Sequence, residues 1–319
     1  PGWDLSEEDR WRGVAVAGDG NSRYGRISPY LQGVNAAVES MRNVASVGAK
    51  PRAITDCLNY GNPEIPEQLW QLEEGVRGIA DAAREVTIDG ECVPVVSGNV
   101  SLYNGRPDGS AIDPTAIVCC VGVFEDARRG VTMQLKSPNS QLFLVGARLD
   151  ECGGSAYYEV LEQMSSTKRD ALLGCNAPNP DFSEVSNQIK FVTEAIDKGF
   201  ISSCHDISNG GLLLALFEMM LPQRRNGGSV GVDVSLNELG DLRSDTLLFS
   251  ETGGFIIEVS KQEAEALEKL ANKSDIELLA LGQTLPSPEL VIKHHENAVF
   301  SESLEDLQKI WNNGMESAF

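Results

Sequence analysis

Two segments place carboxylate, amide and hydroxyl groups beside small residues, a pattern suited to holding metal-bound phosphate. The first is Ile54-Thr55-Asp56-Cys57-Leu58-Asn59-Tyr60-Gly61-Asn62-Pro63. Residues 52–55 read as a short strand that delivers Asp56 to its carboxyl end. A carboxylate there can bind Mg2+ or contact a nucleotide, because hard cations take oxygen ligands. Gly61 lets the backbone approach a ligand. An ordinary turn of Asn and Gly fits the same residues. The second segment is Val95-Val96-Ser97-Gly98-Asn99-Val100-Ser101-Leu102-Tyr103-Asn104. Here a strand at 94–97 is expected to end in a Ser-Gly-Asn-x-Ser loop. Backbone N–H groups beside Gly98 can face phosphate oxygens. Asn99 offers an amide oxygen to a metal, and Ser101 offers a hydroxyl. No Gly-Lys-Ser/Thr follows, so this is not a Walker-type phosphate loop. A hairpin-like turn is the competing reading.

Three weaker candidates lie further on. Cys204-His205-Asp206-Ile207-Ser208-Asn209-Gly210-Gly211 leads from a strand into an apolar helix. His205 could act as a base, yet no nucleophile stands near it in sequence, and capping of the helix by Asp206 or Ser208 is the stronger expectation. Ser250-Glu251-Thr252-Gly253-Gly254 offers Glu251 to a metal or an amine, or forms a plain turn. Glu151-Cys152-Gly153-Gly154-Ser155 reads as structural, with Ser155 capping a helix.

The elements that would position these groups alternate between strand and helix. Apolar residues at Val34, Ala37, Val38, Met41, Val44 and Ala45 give a helical face over 33–47, stopped by Gly48. A second helix is expected over 67–86. The apolar run 115–124 is the best central strand. Charge and turn residues at 125–130 precede a new strand at 141–146, which puts a domain boundary between about residues 126 and 138. The expected domains are therefore 1–130 and 131–319. The second holds helices at 155–164, 183–198, 211–220 and 261–272, strands at 254–259, 277–281 and 289–293, and a terminal helix at 303–316. The fold class is α/β (α+β) in two layers. No GxGxxG follows the first strand, so it is not a Rossmann fold.

Composition narrows the partners. The 319 residues carry 47 Asp+Glu against 26 Lys+Arg, a net charge of -21 that repels nucleic acid backbones. Phosphate must then be met locally, by backbone N–H groups, a metal or a few placed cations. No apolar run is long enough for a membrane span, and residues 1–12 show no signal-peptide pattern. Seven Cys without a CxxC pair, and only three His, fit a reducing cytoplasmic compartment. Cys119 and Cys120 read as buried thiols. A start at Pro1 suggests processing or a piece of something longer.

Taken in chain order, these segments resemble one family. Gly18-Asp19-Gly20-Asn21, Arg42-Asn43-Val44-Ala45, Gly48-Ala49-Lys50-Pro51, residues 54–63, residues 97–104, Gly153-Gly154-Ser155, His205-Asp206 with Gly210-Gly211, and Ser250-Glu251-Thr252 are similar to the PurL branch of the PurM-like ATP-binding superfamily. That branch comprises the formylglycinamidine ribonucleotide (FGAM) synthases. The resemblance is to the second of two PurM-like repeats and covers nearly the whole chain. It implies a ligase of purine biosynthesis in which ATP phosphorylates an amide oxygen of formylglycinamide ribonucleotide and glutamine-derived ammonia displaces the phosphate. It further implies that the amino-terminal domains of two repeats pair into a shared β-barrel. By that resemblance Asp56 and Gly98 face ATP, Asn99 binds Mg2+, Ser101 contacts the substrate, and His205, Asp206 and Glu251 form an auxiliary nucleotide site. The family's catalytic His belongs to the first repeat, so the active site is incomplete in this chain.

The implied partners are a first repeat, in the same or a separate chain, and a glutaminase subunit or domain. Two other readings stay open. One is a stand-alone homodimeric PurM-like ATP-binding enzyme. The other is a non-catalytic interaction half. The strands near Val14, Ile54, Val95 and Val118 are expected to leave an apolar sheet face open in either case.

Overall fold

The first long helix is set by its ends. The Ser28 hydroxyl accepts from the Leu31 amide at 3.2 Å, and Pro29 occupies the first helical position, where its missing N–H is no loss. Gly48, at φ 98°, ends the helix, with its amide 2.9 Å from the Ala45 carbonyl and the Ala49 amide 3.1 Å from that of Val44. The helix therefore runs Pro29–Ser46 and not from residue 33. Its first turn comes from the cap, which the apolar spacing does not report.

The computed structural model describes residues 6, 9–165, 173–221 and 229–314. The first unit contains β1 (Gly13–Asp19), α1 (Ser22–Ile27), α2 (Pro29–Ser46), β2 (Lys50–Asn59), α3 (Pro66–Glu85), the short pair β3 (Thr87–Ile88) and β4 (Glu91–Cys92), β5 (Val95–Ser101) and β6 (Thr115–Phe124). The second contains β7 (Gln141–Val145), α4 (Ala156–Ser165), α5 (Phe182–Asp197), β8 (Ser203–Asp206), α6 (Gly211–Met220), β9 (Gly231–Ser235), α7 (Ser244–Phe249), β10 (Phe255–Val259), α8 (Ala264–Lys273), β11 (Leu278–Leu285), β12 (Glu289–His294), β13 (Asn297–Ser303) and α9 (Leu304–Gly314). The sequence reading had no strands at 231–235 and 297–303. Its terminal helix is present to Gly314, and residues 315 and 316 lie outside the described residues.

The first sheet has the order β1-β6-β2-β5, with β2 and β5 parallel and the other pairs antiparallel. The run 115–124 is indeed a central strand, beside β2. Cys120 in it is buried, while Cys119 on the alternate face is only half-buried. Beyond Asp19, the Gln32 side chain takes over from β1. Its amide pairs with both the N–H and the C=O of Ala116, at 2.7 Å each. Helices α2 and α3 cover one face, packed so closely that a Cβ on Gly33 would collide with the Gly75 carbonyl. The other face has no cover. Val14 is 66% exposed, Val16 65% and Ile117 47%, so the apolar face expected to be open is open.

The second sheet has the order β13-β12-β9-β11-β7-β10-β8. Its middle strands β7 and β10 are buried on both faces. Phe143, Val145, Phe255 and Ile257 join one core with α5, α8 and the first unit. Leu142, Leu144 and Ile256 join another with α6, α7 and α9. One continuous core thus ties the two units together. Ser155 accepts from the Tyr158 amide at 3.2 Å and caps α4 as expected. Helix α6 is not capped by Asp206 or Ser208. Its cap is Gly210 at φ 80°, without a side-chain bond, because Asp206 is the last residue of β8. No helix among the described residues is long and apolar enough to cross a membrane.

Gly33→Ala should destabilise the chain by about 1–3 kcal/mol through overpacking of the α2–α3 crossing. Urea unfolding measures this, and an unchanged midpoint would show that the helices can part without loss.

Candidate functional site

Parallel pairing of β2 with β5 sets Asp56 opposite Gly98, Cys57 opposite Asn99 and Asn59 opposite Ser101. Side chains alternate along a strand, so paired residues share a face. Asp56 lies on the helix side with buried Ile54 and Leu58. Ser97, Asn99 and Ser101 form a row on the open face beside Cys57 and Asn59. The four residues expected at one site are brought together at one sheet edge, but from its two faces.

Two details of the sequence reading are corrected. Asp56 sits three residues before the end of β2, and Ser97–Ser101 is strand, not loop. Ser, Gly and Asn are poor strand formers, yet the ladder with β2 holds them extended. An anion-binding nest of turn amides therefore does not form at Gly98. Instead, a Cβ there would stand 2.9 Å from the Asp56 carboxyl carbon and closer still to its oxygen. The carboxylate lies across the glycine. Burial raises its pKa, and no donor among the described residues bonds to it. Gly61 serves a different approach from the one expected. The Gln68 side chain, not a ligand, closes on it and accepts from the Asn62 amide.

At the strand ends, Asn104 ties the loop together. Its amide nitrogen donates to the carbonyls of Tyr60 (3.1 Å) and Ser101 (2.6 Å), and its oxygen accepts from the Ser101 hydroxyl at 3.2 Å. Tyr103 beside it has a left-handed backbone, φ 60°, and an exposed ring.

The second cluster lies between the two units. Glu251 is buried, and one of its oxygens accepts from the amides of Gly210 (2.8 Å) and Ala156 (2.9 Å) while the other accepts from the Tyr24 hydroxyl (2.5 Å). It therefore anchors the starts of α6 and α4 to α1, and three donors already occupy it. His205 is clamped, with Nδ1 3.1 Å from Asp206 and Nε2 3.0 Å from Glu218. Burial opposes its charge, but the bonds to Asp206 and Glu218 prevail and raise its pKa to about 9. A charged imidazolium between two carboxylates is no general base at neutral pH.

Three residues to which the sequence assigns no role meet this cluster, two of them, Asp19 and Asn43, within segments of the family resemblance. Burial raises the Asp19 pKa to about 6, and Asp19 hydrogen-bonds to Glu39. Burial and the charges of Asp19 and Asp206 push Glu39 well above the usual carboxylate range. The Asn43 amide nitrogen, oriented to satisfy its surroundings, donates to Asp206 at 2.7 and 3.0 Å. Glu39 and Asn43 are one helical turn apart, and polar residues inside an otherwise apolar helix were the available signal. Among the described residues no group of three or more His, Cys, Asp or Glu is placed to hold a metal ion.

Comparison with known proteins gives the family. AIR synthase related protein, N-terminal domain, matches residues 7–124, and the corresponding C-terminal domain matches residues 137–295. The chain belongs to the AIR synthase related family. Within the family it is 39% identical to the phosphoribosylformylglycinamidine synthase subunit PurL of Methanothrix thermoacetophila, over 96% of this chain and 38% of that protein. It is 35% identical to the Aquifex aeolicus PurL subunit, over 96% of this chain and 39% of that one. The PurL-type relationship expected from the motifs thus holds, and the chain spans less than two fifths of the length of these relatives. The fold matches Thermotoga maritima PurL complexed with FGAR at TM-score 0.76 and 20% identity, over 94% of this chain and 46% of that one. It also matches thiamine-monophosphate kinase from Stenotrophomonas maltophilia at TM-score 0.60 and 17% identity, over 89% and 86%. At these identities the likeness concerns the family fold alone.

The His205 clamp has a pH signature. Its folded pKa of about 9 lies above the ordinary 6.5, so its stabilisation is complete below pH 6.5 and is lost as pH rises through 9. His205→Gln should therefore cost on the order of 3 kcal/mol at pH 6 and little at pH 10. Denaturant titrations of both proteins across that range test it. A difference independent of pH would mean that the imidazole is neutral.

Proposed function

We propose that this chain is the second half of a phosphoribosylformylglycinamidine synthase, an ATP-dependent C–N ligase of the glutamine amidotransferase type. What carries the reading is identity of 35–39% to PurL subunits along 96% of the chain. ATP phosphorylates the amide oxygen of formylglycinamide ribonucleotide, and ammonia from a glutaminase partner displaces the phosphate. In this reading residues 1–130 and 131–319 are the two domains of one repeat. The open face carrying Val14, Val16 and Ile117 docks the matching sheet of the first repeat, and together they close the shared barrel. That first repeat also supplies the catalytic His that this chain lacks.

The geometry supports a nucleotide lying over the free edge of β5. An edge strand presents unpaired backbone N–H and C=O groups. Asp56 reaches that edge from one face and Asn99 from the other, and Gly98 has no side chain to separate them. Mg2+ needs few protein ligands, since it keeps several waters and takes phosphate oxygens. The single amide oxygen of Asn99, in a row with the Ser97 and Ser101 hydroxyls, fits that demand. When bound, the ion would offset phosphate charge that this acidic chain otherwise repels. Asp56 and Gly98 position ATP, and Ser101 positions the ribonucleotide. Phosphoryl transfer relies on such positioning and on electrostatic stabilisation more than on a protein nucleophile.

The auxiliary nucleotide role is proposed for Asp206, with Asn43, Glu39 and Asp19 around it. Glu251 and His205 support that site through contacts already made within the fold, and Asp206 is itself held by His205 and Asn43. A second reading, a stand-alone homodimeric ATP-binding enzyme, draws on the thiamine-monophosphate kinase likeness, in which this chain spans 86% of the other.

Asp56→Ala or Asn99→Ala in the assembled enzyme should lower turnover at saturating ammonia by at least about tenfold, roughly 1.4 kcal/mol. Wild-type rates in both would remove their assigned roles. Sedimentation of the chain alone and with a first-repeat chain separates the two readings. Activity only in the mixture supports the half, and a self-sufficient active homodimer supports the second.

A further inference from the structure

We infer that Ser101 meets the substrate as a hydrogen-bond acceptor only, because Asn104 holds its proton, and that it therefore reads a neutral donor group of the substrate and not the phosphate. This deepens the substrate role proposed for Ser101 and rests on it. The orientation of Asn104 is fixed by its own partners. Its nitrogen donates to two backbone carbonyls, Tyr60 at 3.1 Å and Ser101 at 2.6 Å. A carbonyl cannot donate, so the amide oxygen must point the other way. That oxygen lies 3.2 Å from the Ser101 hydroxyl and, being an acceptor, obliges the serine to donate to it. The serine's remaining lone pairs face outward. Turning the hydroxyl toward a phosphate oxygen would leave the Asn104 oxygen unpaired in a half-buried position, which is unfavourable.

A second acceptor stands beside it. Asn59 pairs with Ser101 across the ladder. Its amide nitrogen donates to the Cys57 carbonyl at 3.0 Å and to the Cys57 sulfur at 3.6 Å, and its oxygen has only the Cys57 thiol, at 4.0 Å. Ser101 and Asn59 thus present two acceptors side by side on the open face. A phosphate brings acceptors and negative charge and gains nothing there. A ribose hydroxyl or the N–H of the glycinamide arm supplies the matching donor. Asn104 is accordingly a positioning residue that sets which kind of group Ser101 can recognise.

The test uses the assembled enzyme with formylglycinamide ribonucleotide, Mg-ATP and ammonia. Asn104→Ala should raise KM for the ribonucleotide about tenfold, the scale of one hydrogen bond to a buried polar group. KM for ATP and kcat should change much less. Ser101→Ala should behave alike, Ser101→Thr should retain binding, and the double variant should be no worse than the worse single one, since both changes remove one contact. Deoxyribose and N-methylated analogues identify the donor. One of them should bind more weakly than the parent to the wild type and equally with it to Ser101→Ala. Additive losses in the double variant, or analogues that all bind the wild type as the parent does, overturn the inference. If Asn104→Ala weakens folding, the analogue series with Ser101→Ala and Ser101→Thr decides alone. An assembled enzyme that binds no formylglycinamide ribonucleotide overturns the substrate reading and this one together. One that binds it normally but treats Ser101→Ala as wild type overturns the Ser101 roles and leaves the family function standing.

Discussion

The structure depends on a sheet covered on one face only. Helices α2 and α3 bury one side of β1, β6 and β2 but leave the edge strand β5 exposed, and the other side keeps Val14, Val16 and Ile117 in water. Burial of such area is worth roughly 25 cal/mol per Å2, so the face favours a partner strongly. The candidate ligand groups stand at the polar end of that same face and at its free edge. Docking and chemistry are therefore coupled by position: whatever covers the apolar strands also arrives beside Asn99 and Ser101.

Between the two units, polar groups take the place of a purely apolar join. Glu251 accepts from two helix starts and from Tyr24, which satisfies it where burial alone would neutralise it. His205 bridges Asp206 and Glu218, and Asp206 in turn receives Asn43 from α2. These contacts fix the angle between the sheets, while the continuous core through α5 supplies most of the attraction. Buried polar contacts of this kind specify one arrangement because a half-made network is worse than none.

Much of this was legible in the amino-acid sequence. Apolar spacing and Gly48 gave α2, and the run 115–124 gave the central strand, because those signals are local. Past Ser97 the residues of β5 read locally as a loop because Gly98 and Asn99 carry no strand preference of their own. Its neighbour β2 holds it extended, and no local pattern records a neighbour. The same limit hid the other cluster. Asp19, Glu39 and Asn43 come from a strand end and a helix that meet β8 only in three dimensions. The register brings Asp56, Asn99 and Ser101, which the sequence groups together, to one sheet edge, but their division between two faces is a tertiary property that no local pattern records.

Gly98 is a gap one residue wide between those two faces. A sheet that settles on the open side shields Asn99 and Ser101 from bulk water while Asp56 stays reachable from the helix side. Under the proposed roles the nucleotide then straddles the rim, with Asp56 outside the joint and Asn99 inside it, whereas the ribonucleotide at Ser101 lies wholly within.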